Sequence, residues 1–278
     1  MGIKPSRGRV SQAPVGETLG GYATKGALGR TVADTAAMLD SLAGYLPGDP
    51  YWLPEPTQTF LSVAQQATQQ LILSQRSCRI AFATDLPGFP PFSSDCQAAM
   101  ERALALLEHG GVELDEVRLE LIPLIEPFKL LWLSQVAAAG LPEATLEPMN
   151  QWLLAQAPSA AAYIQAQLQL QQLARRLITQ LSSYDALLLP TYLTPPIAVG
   201  AWSELPPEQV MQNIIEWIAP CPFANVTGQP AVALPTHLTS DQRPLGIQLI
   251  GQPGADSTVI ALAAWLEAQL QFPSIHEG

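Results

Sequence analysis

Histidine is nearly absent from this chain, and charge of either sign is scarce. The three histidines, His109, His237 and His276, are scattered along 278 residues. No two stand at a helical metal-ligand spacing, so each reads as a surface or helix-end residue and no metal is expected. The three cysteines, Cys78, Cys96 and Cys221, are odd in number and far apart. They form neither a zinc pair nor a redox motif, and they fit buried packing in a reducing, cytoplasmic setting. There is no G-x-S-x-G elbow and no G-x-G-x-x-G stretch. Gly16 and Gly21 have the gap of a phosphate loop, but Tyr22 stands where a lysine is required. No cofactor is therefore expected. No basic start leads into an apolar run, so no secretory signal is expected. The most apolar run, residues 130–141, is broken by Ser134 and Gln135 and is too short to span a bilayer.

Charged residues make up 13% of the chain, against about 25% in an average soluble domain. Thirteen basic residues face twenty-four acidic ones, a net charge of -11. A surface of that sign repels phosphate backbones and anionic lipids, which argues against nucleic-acid or membrane partners. The 48% hydrophobic content calls for a large core, or for apolar surface that meets a partner. Lys4, Arg7 and Arg9 cluster around Pro5 and Gly8. A loop stitched to nearby carbonyls and carboxylates accounts for them better than a phosphate site. Serine–lysine catalysis needs no histidine, and Lys4 and Ser6 are the nearest such pair. Two residues apart on an extended strand they lie about 7 Å apart, too far for a direct hydrogen bond without a tight turn.

The pattern of elements is more informative. Thr31 caps a helix through residues 32–43, with Asp34 in its first turn and Gly44 as its stop. Residues 79–83 read as a strand, Ser94 as the cap of a helix running toward Gly110-Gly111, and residues 112–121 as a second strand. Strand, helix, strand at this length is a crossover unit, so part of the sheet is expected to be parallel. Residues 126–181 read as mostly helical, with breaks near Gly140-Leu141-Pro142 and Pro158. The last piece carries leucines at 168, 173, 177 and 181. These suit an outer helix of the same domain better than a coiled-coil partner. Residues 185–190 form a buried-strand pattern and residues 208–218 a helix. Residues 220–229 read as a loop, 231–234 and 245–250 as strands, and 257–270 as a closing helix. The expected fold is a single α/β domain over residues 1–278, with a mixed, partly parallel sheet flanked by helices.

Three blocks then carry a resemblance. The first is Gly2-Ile3-Lys4-Pro5-Ser6-Arg7-Gly8-Arg9-Val10-Ser11 together with Arg30-Thr31-Val32-Ala33-Asp34. The second is Tyr184-Asp185-Ala186-Leu187-Leu188-Leu189-Pro190-Thr191. The third begins Pro222-Phe223-Ala224-Asn225-Val226-Thr227-Gly228-Gln229-Pro230 and continues through Pro244-Leu245-Gly246-Ile247-Gln248. In this order and spacing they resemble the amidase signature family. Ser11-Gln12-Ala13-Pro14 and Gly48-Asp49-Pro50-Tyr51 are most similar to its 6-aminohexanoate cyclic-dimer hydrolase branch.

The resemblance implies a chain matching the later part of a longer enzyme, an amidase fold lacking its N-terminal part. Such enzymes hydrolyse small-molecule amides with two serines and a lysine, through an acyl-enzyme. The lysine and the glycine- and serine-rich loop precede the block that begins here at Gly2, so no catalytic residue carries over. The start suggests a split gene or a misread start codon, with Met1 standing for a valine codon. What does carry over is a candidate acyl-pocket lining of Leu131, Trp132 and Gln135, with Trp217 and Phe223. Ordinary core packing is the competing reading for each. Asn225, Thr227 and Gly228 are expected to set a turn beneath the site. The chain alone is expected to be inactive. Two alternatives remain: a binding or scaffold remnant, self-associated as a homo-oligomer, or a half-enzyme completed in trans by an N-terminal polypeptide.

Overall fold

The structure, a computed structural model, describes residues 1–69 and 78–270. His276 lies outside them. Seven strands form one open sheet among the described residues. They are β1 (Gly2–Lys4), β2 (Ala27–Leu28), β3 (Arg79–Phe82), β4 (Glu113–Glu116), β5 (Ala186–Pro190), β6 (Ala231–Leu238) and β7 (Pro244–Gly251). Their order is β2-β1-β6-β7-β5-β3-β4. The β5, β3 and β4 ladders are parallel, and the ladders from β2 through β7 to β5 are antiparallel. The mixed α/β sheet expected from the sequence is present.

The helices are α1 (Val32–Leu42), α2 (Phe60–Gln69), α3 (Ser94–His109), α4 (Ile122–Ala138) and α5 (Pro148–Ala155), followed by α6 (Ala160–Gln180), α7 (Pro207–Trp217), α8 (Pro222–Thr227) and α9 (Asp256–Leu270). Helices α3 and α9 pack on the central strands, and α1 and α2 pack on α9. Helix α9 has apolar residues all round, as a helix sandwiched between a sheet and other helices requires. Helix α4 packs on both α5 and α6, with α7 against α5 and α8 against α6.

Two helix starts are fixed by residues from other helices. The α1 cap is local: the Thr31 hydroxyl accepts the Asp34 N–H at 3.0 Å. The Val32 N–H, however, donates to the Glu267 carboxylate of α9 at 3.1 Å. The Asp40 carboxylate of α1 accepts the N–H groups of Phe60 and Leu61 at 2.7 and 2.9 Å, which caps α2. Free N–H groups at a helix start need such acceptors.

Several expectations are corrected. Residues 220–229 are not a plain loop. The prolines there read as breakers, but Pro222 occupies the first turn of α8, where no intrahelical N–H is needed. Gly228, at φ 73°, closes that helix in the left-handed region. The strand expected over 112–121 is only β4, because its partner β3 ends at Phe82; Leu119 and Leu121 are buried beyond the sheet edge. Ser93, one residue earlier than expected, caps α3 by accepting the Cys96 N–H. Helix α4 starts at Ile122 and carries Pro127 inside it. In α6, Leu170, Leu173 and Leu177 are buried against the domain and Leu168 is exposed, as an outer helix demands.

Candidate functional site

Strand alternation builds the candidate site. Ile3 is buried in the core, so its neighbours Gly2 and Lys4 point to the opposite face of β1. On that face Gly2 pairs with Ala233, and Ala233 pairs in turn with Gln248. Lys4 pairs with Ala231. Glycine and two alanines in one patch leave the sheet surface low. A cavity of about 400 Å³ stands over it, walled by Thr24, Gly26, Ala27 and Leu28, by Thr191, and by Cys221, Ala224 and Asn225 around α8.

The loop after β1 holds this wall in place. The Ser6 N–H donates to Asp256 at 2.8 Å, and the Gly254 N–H donates to the Ser6 hydroxyl at 3.1 Å. The Arg9 guanidinium reaches the same Asp256 carboxylate at 3.3 Å. The Arg7 guanidinium donates to the Asn225 and Val226 carbonyls at 2.7 and 3.3 Å and lies over the Tyr22 and Tyr51 rings. Burial lowers the Arg7 pKa, with Tyr51 and Tyr22 opposing it. The basic cluster is thus stitched to carbonyls and a carboxylate, as the sequence suggested.

Lys4 and Ser6 do not form a dyad. The Lys4 amine donates to the Pro5 carbonyl at 2.9 Å, while the Ser6 hydroxyl is held by Gly254. Among the described residues no serine hydroxyl is hydrogen-bonded to a lysine amine. Burial lowers the Lys4 amine to about 7; Arg7 pushes the same way and Asp256 opposes. The Cys221 thiol donates to the Thr191 carbonyl at 3.3 Å, and burial pushes it up to about 12. It is therefore protonated at neutral pH and a poor nucleophile.

The five candidate lining residues do not converge on one space. Leu131 and Phe223 are buried in the main core. Trp132 lines an apolar slot between α4, α7 and α8, with Phe89, Leu124 and Phe128. Its volume of about 40 Å³ has room for only a few waters. Gln135 is exposed and accepts the Leu19 N–H at 2.8 Å. Trp217 stacks on Tyr192 with centroids 4.6 Å apart and donates to the Thr194 carbonyl at 3.1 Å. Asn225 donates to the Tyr22 carbonyl, and Thr227 donates to the Phe223 carbonyl within α8. A wider groove of about 700 Å³ runs between α4, α5 and α7, flanked by Trp152, Met211 and Lys129.

Sequence reasoning missed the cavity over β1 and β6, although Gly2, Ala231 and Ala233 carried its signal: small residues recurring on one strand face. Among the described residues no group of three or more His, Cys, Asp or Glu side chains is placed to hold a metal ion. No described helix is long and apolar enough to cross a membrane.

The family model for Amidase matches residues 1–260. This chain belongs to the amidase family. A predicted amidase of Synechocystis sp. is 44% identical over 271 residues, which cover 98% of this chain and 52% of that protein. The 6-aminohexanoate-cyclic-dimer hydrolase of a Pseudomonas strain is 28% identical, covering 97% of this chain and 59% of that enzyme. A solved 6-aminohexanoate cyclic dimer hydrolase, complexed with substrate, superposes with a TM-score of 0.84 at 24% identity, over 98% of this chain and 60% of that one. The amidase-signature α/β fold is therefore present. The chain spans about half the length of the curated relatives it matches.

Proposed function

We propose that these residues form the substrate-side portion of an amide hydrolase, and that its nucleophile, proton relay and base come from outside them. Alone, the chain does not cleave amides. The observation that carries this reading is the Lys4–Ser6 geometry. The one neighbouring serine–lysine pair in the chain is committed to structural hydrogen bonds, with the amine on Pro5 and the hydroxyl on Gly254. A nucleophile, relay and base act as one unit and fail together when members are missing.

The surface around the cavity suits completion by another segment. Edge strand β2 has only two residues, and Leu28 on it is 82% exposed beside the cavity. An exposed edge next to apolar surface is a place for a further strand or loop to dock. The resemblance puts the nucleophile loop before Gly2, and Gly2 lines the cavity. The amide would then be attacked at the cavity mouth, with the cavity holding one side of it. The thiols of Cys96 and Cys221, neither in a disulfide, suit a reducing cytoplasm.

The test is an assay on simple linear and cyclic amides, with this chain alone and with a polypeptide covering the remaining half of the Synechocystis relative. The chain alone gives background hydrolysis, and the mixture gives turnover. Turnover by the chain alone overturns the reading. A stable complex without turnover rejects completion in trans and favours the scaffold alternative.

A further inference from the structure

Beyond its hydrogen bond to the Pro5 carbonyl the amine of Lys4 has no task in the reading above, and its setting is unusual for a lysine. Lys4 lines an open cavity of about 400 Å³ whose floor is glycine and alanine. No carboxylate lies within ion-pair distance of it among the described residues, and its hydrogen bond goes to a neutral carbonyl, that of Pro5. The charged groups acting on it are Arg7, which disfavours a second cation, and Asp256, which is already engaged by Arg9 and the Ser6 N–H. With its pKa lowered to about 7, a lysine so placed is partly neutral near that pH, and desolvation beside another cation is the usual way to make a nucleophilic amine. Thr191, Asn225 and Gln248 line the same cavity; the Asn225 and Gln248 amides donate to the Tyr22 and Pro190 carbonyls and each keeps one further N–H.

We propose that Lys4 is a carbonyl-reactive site, whose amine condenses with a small aldehyde entering the cavity over β1 and β6. The amine nitrogen attacks the carbonyl carbon and the carbonyl π pair moves to oxygen. The resulting carbinolamine then loses that oxygen with both amine hydrogens as one water. An imine remains between Lys4 and the aldehyde carbon, and nothing is oxidised or reduced. The Cys221 thiol, which also lines the cavity, does not compete, because burial keeps it protonated.

The chain has only two other lysines, Lys25 and Lys129, and its one further amine, the Met1 N-terminus, is resolved from Lys4 by fragmenting the N-terminal peptide. Lys25 donates to the Gln12 carbonyl and Lys129 pairs with Glu126. The folded chain is treated with propanal and sodium cyanoborohydride at several pH values, and the reduced propyl adducts are located by peptide mapping. About half of Lys4 is neutral at pH 7, against fewer than one in a thousand for an ordinary lysine near 10.4. Lys4 is expected to be modified at least tenfold faster than Lys25 and Lys129, with a rate that levels off above about pH 8. In 8 M urea the preference disappears. Lys4→Arg removes the fast phase and leaves the other two lysines unchanged. Equal rates at the three lysines of the folded wild-type chain, or a Lys4 rate still rising tenfold per pH unit above 8, overturn the proposal. Both readouts need only the wild-type protein, so a misfolded Lys4→Arg variant does not blunt the test.

Discussion

Arg9 and Asp256, 247 residues apart in sequence, meet as a buried ion pair at 3.3 Å. The contact joins the loop after β1 to the first residue of α9. Asp256 also accepts the Ser6 N–H, so one carboxylate fixes both the loop backbone and the guanidinium. Removing one partner of a buried pair leaves an unpaired charge, at about 3–5 kcal/mol. Asp256→Ala is therefore expected to lower the unfolding free energy by that amount in urea titrations. Arg9→Met with Asp256→Leu is expected to lose clearly less than the sum of the two single changes, because no charge is then stranded. Additive losses would mean that the pair acts through packing alone.

Gly8 offers a backbone test of the same loop. Its φ of 84° suits glycine, and an added Cβ would lie 2.8 Å from the Trp52 backbone nitrogen. The neighbouring Leu53 N–H donates to the Gly8 carbonyl at 3.0 Å, so the two segments are already in contact. Gly8→Ala is expected to destabilise by more than about 1 kcal/mol, from left-handed strain plus the clash. A loss below about 0.5 kcal/mol in thermal unfolding would contradict the contact.

The α1 cap gives a smaller effect. Thr31→Ala removes the acceptor of the Asp34 N–H and is expected to cost about 1 kcal/mol. The neighbouring Val32 N–H stays satisfied by Glu267, which limits the damage to one turn. Amide exchange resolves this: Asp34 loses protection while Val32 keeps it.

These examples mark what the sequence could disclose. The Thr31 cap and the buried run of β5 are local patterns, and local patterns are readable; the strand at Gly2–Lys4 reads as part of a loop and goes unseen. Block order and spacing were enough to indicate the family. The partners of Arg7 and Arg9 were legible as a type, carbonyls and a carboxylate, but not as Asn225, Val226 and Asp256, because those contacts close across nearly the whole chain. Helix α8 was missed because Pro220 and Pro222 look the same before a loop as at a helix start. The lining expected of Leu131, Trp132, Gln135, Trp217 and Phe223 mixed two kinds of residue. Side-chain type alone does not distinguish the buried Leu131 and Phe223 from the cavity-facing Trp132.

The amine of Lys4 links stability to pH with a definite sign. Its pKa falls from an ordinary 10.5 to about 7 in the folded chain. Between those values the unfolded chain binds the extra proton, so the folded state gains stability as pH rises through that window. Below about pH 7 both states are protonated and the full penalty for burying the charge is present. Wild type is therefore expected to gain on Lys4→Met steadily from about pH 7 to pH 10 in parallel urea titrations, with no trend below pH 6. A gap between the two that is flat from pH 7 to 10 would contradict the burial of this amine.

The central claim, that the amide-cleaving nucleophile lies outside these residues, is tested most directly with a fluorophosphonate probe that labels activated serines. The chain is incubated with it alone and with the complementing half of the Synechocystis relative, and intact masses are read for each polypeptide. The account predicts an unchanged mass for this chain in both samples, with a single adduct on the other half. A stoichiometric adduct on any serine of this chain would contradict it.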